Sequence, residues 1–259
     1  MALLEGRDLI VRYGALAALD NVSVAIEAGE FVSVIGPNGA GKTTLVNVLT
    51  GLQAPDTGSV SFAGQDITGI GAQQLAILGL ARSFQLIAIF PELTVRETLL
   101  AAVISRQRKG GRLLASLQRD RAARWEAEEV AALFGLDANL HTKAGNLSQG
   151  DKKLLDVASA FALHPQVILL DEPTSGVSTR DKHRIMDILV SASQQIGIRT
   201  TLQVEHDMDI VFAYSDRIIA MHEGRVLFDG TPAAIQRDEE VVARVMGHKE
   251  IFSTFRRQP

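Results

Sequence analysis

FVSVIGPNGAGKTTLVNVLTG, Phe31–Gly51, is the stretch on which the reading of the whole chain turns. Phe31 to Ile35 is short, apolar and β-branched, which predicts a buried strand. Gly36, Pro37, Asn38, Gly39, Ala40, Gly41, Lys42 and Thr43 then fit the phosphate-binding loop pattern G-x-x-x-x-G-K-S/T, with Thr44 directly after it. Leu45, Val46, Leu49 and Leu52 predict an apolar helix, and Gly51 is placed to stop it. The chemistry asks for these residue types. Glycines let successive backbone N–H groups curl round a polyphosphate without Cβ clashes. The positive end of the following helix faces that anion. Lys42 reaches the outer phosphates as a point charge, and the Thr43 hydroxyl takes one position on Mg²⁺. A glycine turn with an idle lysine is the bland alternative, and the strand–loop–helix context weighs against it.

Composition bounds what surrounds this loop. A chain of 259 residues is long enough for one large α/β domain, or a domain with a subdomain, and buries a core easily. With 46% hydrophobic and 22% charged residues it reads as a globular protein. The formal charge of −4 gives no support to nucleic-acid binding, which leaves a basic footprint. There is no cysteine, hence no disulfide framework and no thiolate metal site. No apolar run approaches 18 residues and Met1–Tyr13 carries no signal-peptide pattern, so the expectation is a cytosolic chain that meets a membrane through partners.

Upstream of the loop, Leu4 to Tyr13 and Val22 to Ile26 are strand-like, the second alternating cleanly. Tyr13 has two readings of equal weight: a ring that stacks on adenine, or an aromatic at a strand end. Downstream, Ser59 to Phe62 predicts a strand, Gln73 to Leu80 a helix, and Leu80 to Phe84 a short core strand ending at Gln85. A glutamine there is ordinarily solvated; its other reading is a flexible ligand to Mg²⁺ and the attacking water. Thr94-Val95-Arg96-Glu97 matches a capping box and starts a helix with Leu99, Leu100 and Val103. Arg106 to Glu129 is densely charged, with a weak helical stripe at Leu113, Leu114, Leu117, Ala122 and Trp125. It reads as a solvated helical lobe with one buried face, or as a docking surface.

Leu147-Ser148-Gln149-Gly150-Asp151 precedes a strong helix in which Leu154, Val157, Ala158 and Phe161 recur on one face. Ser148 suits the N-cap, and such an N-terminus is also an anion site. Gln166 to Leu170 is a second buried strand, ending in Asp171 and Glu172. Adjacent carboxylates at the mouth of an apolar strand are costly unless they face a metal or water. Asp171 then holds Mg²⁺ through its water shell, and Glu172 acts as general base on the attacking water. Arg180 to Ser193 predicts a helix, and Thr200 to Val204 a strand ending at Glu205-His206-Asp207. A histidine after a core strand is ordinarily a cap or surface residue, and the other five show no metal-ligand spacing. Asp216 to Met221 and Arg225 to Phe228 flank Glu223-Gly224, a hairpin turn. Two short helices, Ala233–Gln236 and Glu239–Val245, and a tail, IFSTFRRQP, close the chain.

In this order, GPNGAGKTT, Gln85, LSQGD, VILLDEP and His206 resemble the ATP-binding subunits of ABC transporters over essentially the whole chain. The LSQGD element separates that family from other phosphate-loop ATPases. The resemblance implies an α/β phosphate-loop NTPase core with an antiparallel β subdomain and an inserted, mainly helical subdomain. Residues 1–85 and 165–230 would form the core, 86–164 the helical subdomain with its signature motif, and 231–259 the C-terminal helices and tail. It implies ATP and Mg²⁺ as cofactors, with Gly36 through Thr44 and Tyr13 at ATP, Thr43, Gln85 and Asp171 at the metal, and Glu172, His206 and Gln85 catalytic. Ser148 and Gly150 would reach the ATP of a partner, because two subunits pair head to tail as a homodimer or with a second ABC ATPase. Hydrolysis would remove the γ-phosphate contacts and let the pair reopen.

Within the family, GLARSFQ at Gly79–Gln85, PELTVRETLL at Pro91–Leu100 and VEHDMDIVF at Val204–Phe212 look like subunits of branched-chain amino acid importers. The implied partners are multi-span permease subunits and, indirectly, a solute-binding protein; no nucleic acid is implied. The implied location is the cytoplasmic face of the membrane. Two departures stand out: Ser178 occupies a position where many relatives carry Asp, and the end runs past the usual stop. Two other readings remain, the ATPase of another transport machine such as a lipid exporter, and a soluble ABC protein acting on DNA or ribosomes. Proteins of the last kind carry two ATPase halves or long coiled coils, and this chain has neither.

Overall fold

A computed structural model describes residues 2–83, 89–107 and 120–246. Strands β1 (Leu4–Tyr13), β2 (Leu16–Ile26) and β3 (Phe31–Ile35) precede helix α1 (Lys42–Leu49), strands β4 (Thr57–Phe62) and β5 (Gln65–Asp66), and helix α2 (Ala72–Leu78). Then come β6 (Leu80–Arg82), α3 (Val95–Arg106), α4 (Arg121–Leu133), α5 (Gln149–Phe161), β7 (Val167–Asp171) and α6 (Thr179–Ile196). The described residues continue with β8 (Thr200–Val204), α7 (Met208–Tyr214), β9 (Arg217–His222), β10 (Arg225–Gly230), α8 (Pro232–Ile235) and α9 (Glu239–Val241), which runs on into a π-helical turn, Val242–Met246. These elements group into two compact units, Met1–Leu75 with Thr200–Pro259, and Ala76–Arg199.

The first unit holds a four-stranded antiparallel sheet in the order β2-β1-β4-β5. It also holds β3 in parallel pairing with β8 on one side and β9 on the other, with β10 antiparallel to β9. Every residue of β8, and Val32 to Ile35 of β3, is buried. Parallel strands covered on both faces lose the apolar–polar alternation, which is why β3 reads as an apolar run, whereas β8 buries Thr200, Thr201 and Gln203 along with Leu202 and Val204. Strand β2 extends six residues further toward the N-terminus than its alternating part predicts, from Val22 back to Leu16. Pairing with β1, from Leu4 with Ile26 to Tyr13 with Leu16, recruits those residues. Glu223 and Gly224 both have left-handed φ, 48° and 75°, as a two-residue hairpin turn requires. Ile35, Val211, Ile218, Ala220, Ile235 and Val241 pack together, which fastens α8 and α9 to the strands.

In the second unit β6 pairs in parallel with β7, Leu80 beside Val167 and Arg82 beside Leu169. Phe84 and Gln85, expected to complete that strand, lie outside the described residues, as do Leu113, Leu114 and Leu117. Helix α3 begins on the predicted capping box: Thr94 accepts from the Glu97 N–H, and the Glu97 carboxylate accepts from the Thr94 N–H. The Thr94 N–H and the Thr94 hydroxyl, both donating to that carboxylate, hold the Glu97 carboxyl below its usual pKa. Ser178 caps α6, its hydroxyl oxygen accepting from the Asp181 N–H, so serine does at this position what aspartate also does. Phe134 and Phe161 meet edge to face, ring centroids 5.0 Å apart.

One expectation is corrected. The apolar stripe through Ala122 and Trp125 is not the buried face of α4. Ala123, Ala127, Val130 and Ala131 are buried instead, and Trp125 is 64% exposed. Large side chains suggested the phase, but small ones let helices approach closely, and α4 lies against α3, α5 and α6.

Candidate functional site

The phosphate loop is built as its sequence demands. Strand β3 delivers the chain to Gly36, and α1 starts at Lys42 behind Gly41, a left-handed N-cap residue without a side-chain hydrogen bond to the helix. The first amides of α1 are thus not capped by Gly41, the arrangement that suits an anion. Lys42 is buried and its Nζ donates to the carbonyls of Gly36 at 2.7 Å and Pro37 at 2.9 Å, curling the ammonium over the loop. Asn38, Gly39 and Thr43 are exposed, and Thr44 is half-buried. Ala40 is buried, its N–H donating to Pro37 O and its carbonyl accepting from the Gly224 N–H.

Gly41 is obligatory for two reasons. Its φ is 97°, and an added Cβ would stand 2.4 Å from the Ala18 carbonyl oxygen. Gly41→Ala is expected to cost roughly 2–4 kcal/mol from left-handed strain and the clash, a fall in Tm of about 5–15 °C, together with loss of nucleotide binding. A variant that melts within about 2 °C of the parent and still binds ATP would contradict this account of the loop.

Two further predicted residues lie in the same unit. Tyr13 ends β1 with 54% of its surface exposed, and its hydroxyl donates to Gln53 Oε1 at 2.7 Å. His206 is exposed just beyond β8, whose Val204 pairs with Val34 of β3. The phosphate loop and His206 therefore leave the carboxyl ends of adjacent parallel strands, the edge at which open α/β sheets bind ligands. The sequence reading missed Glu205 as a structural device. It is buried, and its Oε1 accepts from the N–H groups of His206 and Asp207, setting the backbone path that presents His206.

The second unit carries the carboxylates and the signature motif. Asp171 ends β7 buried, its Oδ2 accepting from Arg82 Nη2 at 2.6 Å. Glu172 is half-buried with a φ of 47°, a left-handed conformation that a side chain adopts only when its surroundings impose it. Ser148 is the exposed N-cap of α5: its oxygen accepts from the Asp151 N–H at 3.1 Å and its hydroxyl donates to Asp151 Oδ2 at 2.8 Å. Gly150 stands in the first turn with no atom closer than 4.0 Å to where a Cβ would sit. Gln85 lies outside the described residues. Arg82 and Lys153 were not singled out by the sequence reading, although charged residues set within apolar strand and helix faces are a recognisable signal.

Residues 19–175 match the family described as ABC transporter. The chain is 36% identical over 252 residues to the high-affinity branched-chain amino acid transport ATP-binding protein LivG of Escherichia coli K12, covering 95% of this chain and 98% of that protein. It is 34% identical, with the same coverage, to the protein BraF of Pseudomonas aeruginosa, which carries the same description. Among solved structures it resembles an ATP-binding cassette of an ABC transporter in its ADP conformation, with a TM-score of 0.82 and 30% identity over 94% of this chain and 98% of that one. A dimeric ATP-binding cassette in a post-hydrolysis state, bound to ADP and Pi, matches with a TM-score of 0.74 and 26% identity over 88% and 98%.

Proposed function

The chain belongs to the ABC transporter family of ATP-binding subunits, and we propose that it powers a membrane importer of branched-chain amino acids or related small organic solutes. As a member of that family it is an ATPase of the ABC fold, converting ATP and water to ADP and phosphate. The observation that carries the importer reading is the similarity, 36% and 34% identical over 95% of this chain, to two branched-chain amino acid transport ATP-binding proteins.

In the proposed mechanism Lys42 turns from the Gly36 and Pro37 carbonyls to the outer phosphates, and the amides opening α1 hold the phosphate chain. Tyr13 stacks its exposed ring on adenine. Glu172 takes the proton of the attacking water, while Gln85 and His206 orient that water and the γ-phosphate. The Thr43 hydroxyl and the Asp171 carboxylate are hard oxygen donors that suit Mg²⁺, which is held by one or two protein groups together with phosphates and water. When bound, the metal neutralises charge developing on the phosphates. Ser148 and Gly150 complete the ATP site of a second, identical or paralogous, ABC ATPase. By motif, residues 1–85 and 165–230 are assigned to ATP handling, 86–164 to the helical subdomain, and 231–259 to the C-terminal helices and tail.

Multi-span permease subunits, served by a solute-binding protein, are the proposed partners at the cytoplasmic face of the membrane. Among the described residues no helix is long and apolar enough to cross a membrane, so such subunits supply the path. A pull-down of the tagged chain from native membranes in mild detergent, read by mass spectrometry, is expected to recover them. Recovery of ribosomes or nucleic acid with no membrane protein would overturn the transport reading while leaving the ATPase intact.

A further inference from the structure

Two buried cations that the nucleotide mechanism does not use converge on Asp171. Arg82 Nη2 lies 2.6 Å from Asp171 Oδ2, with the two side chains 8% and 4% exposed. Lys153, 2% exposed on α5, places Nζ 3.5 Å from the Asp171 carbonyl oxygen. Stability alone is a poor reason for such an ion pair, because desolvation offsets most of the Coulomb attraction and an apolar pair of similar volume does as well. Register fixes where the guanidinium starts: Arg82 pairs with Leu169, two residues before Asp171 on the same face of β7, and the Ser83 N–H donates to Leu169 O at 2.9 Å. The strand that carries Arg82 leads in sequence to Gln85, and the helix that carries Lys153 is the one Ser148 caps.

We propose that Arg82 is a positioning residue for the magnesium-bound nucleotide. By occupying Oδ2 it fixes the rotation of the Asp171 carboxylate and leaves Oδ1 for the water shell of the metal. This rests on the reading of Asp171 as a metal-holding residue. A carboxylate that acts through water needs a single orientation, and losing the partner that locks such a group typically weakens metal binding about 10–100-fold. Like-charge repulsion between guanidinium and Mg²⁺ acts the other way, so the sign of the effect separates positioning from competition.

The test is equilibrium binding of a fluorescent ATP analogue to the full chain, in Mg²⁺ and in EDTA, for the parent, Arg82→Met and Arg82→Lys. The parent should bind more tightly in Mg²⁺; if it does not, the Asp171 assignment fails and this proposal with it. Given that tightening, Arg82→Met is expected to lose about 10–100-fold of affinity in the Mg²⁺ arm alone, with part restored in Arg82→Lys. A purely structural pair would weaken both arms together or neither. An unchanged or a stronger Mg²⁺ effect in Arg82→Met overturns the proposal while the nucleotide site stands. Where thermal melts show that Arg82→Met does not fold, Arg82→Lys decides: it keeps the charge and loses the planar fork, and an unshifted Mg²⁺ dependence overturns the positioning role.

Discussion

Glu172→Gln is expected to keep ATP bound and to lower steady-state hydrolysis at least ~100-fold, the low end for loss of a general base. The substitution preserves volume and hydrogen-bonding reach but removes the group that accepts a proton from water. Its site is specified by geometry, since Glu172 follows the buried end of β7 with a φ of 47°. A non-glycine residue costs on the order of 1–3 kcal/mol there, and such strain persists where surroundings over-determine the backbone. Glutamine tolerates the same φ about as well as glutamate, so folding should change little. On the proposed reading, in which hydrolysis of the γ-phosphate lets the pair reopen, the variant should accumulate as an ATP-bound dimer. Phosphate release and size-exclusion chromatography with ATP read the two effects together. Turnover within about fivefold of the parent would remove Glu172 from the base role.

Ser148→Arg is expected to separate nucleotide binding from dimerisation. Ser148 is exposed and, on the head-to-tail reading, serves the partner's ATP rather than its own chain's, so one chain should bind ATP as before. The lost N-cap costs about 1 kcal/mol, tolerable for a domain of this size. In the head-to-tail pair, the hydroxyl that now donates to Asp151 Oδ2 would turn to the γ-phosphate held by the partner. A hydrogen bond to a charged group is worth roughly 1.5–3 kcal/mol, and arginine adds bulk in a closed interface, so the ATP-dependent dimer should weaken at least ~10-fold. Sedimentation in a Glu172→Gln background, where the dimer is longest lived, measures this directly. Dimerisation at the parental concentration would sink the assignment of Ser148 and Gly150 to the partner's ATP.

The elements that the sequence determines on its own are those set by short-range chemistry. A left-handed position demands glycine at Gly41, and a two-residue turn with positive φ is written in Glu223-Gly224. Thr94 with Glu97, and Ser148 with Asp151, satisfy orphan amides within one helical turn, so the helix starts were legible residue by residue. The phosphate loop belongs to this class because its ligand would be held by consecutive backbone groups. Tertiary structure alone decided the rest. Strand β2 reaches back to Leu16 because β1 lies beside it, and α4 buries alanines rather than Trp125 because its neighbours need close approach. Arg82 and Asp171 are far apart in sequence and meet only through the parallel register of β6 and β7. Local patterning specifies the conformation of a segment, but a contact such as this one depends on which strand arrives alongside, and that information is spread over the whole chain.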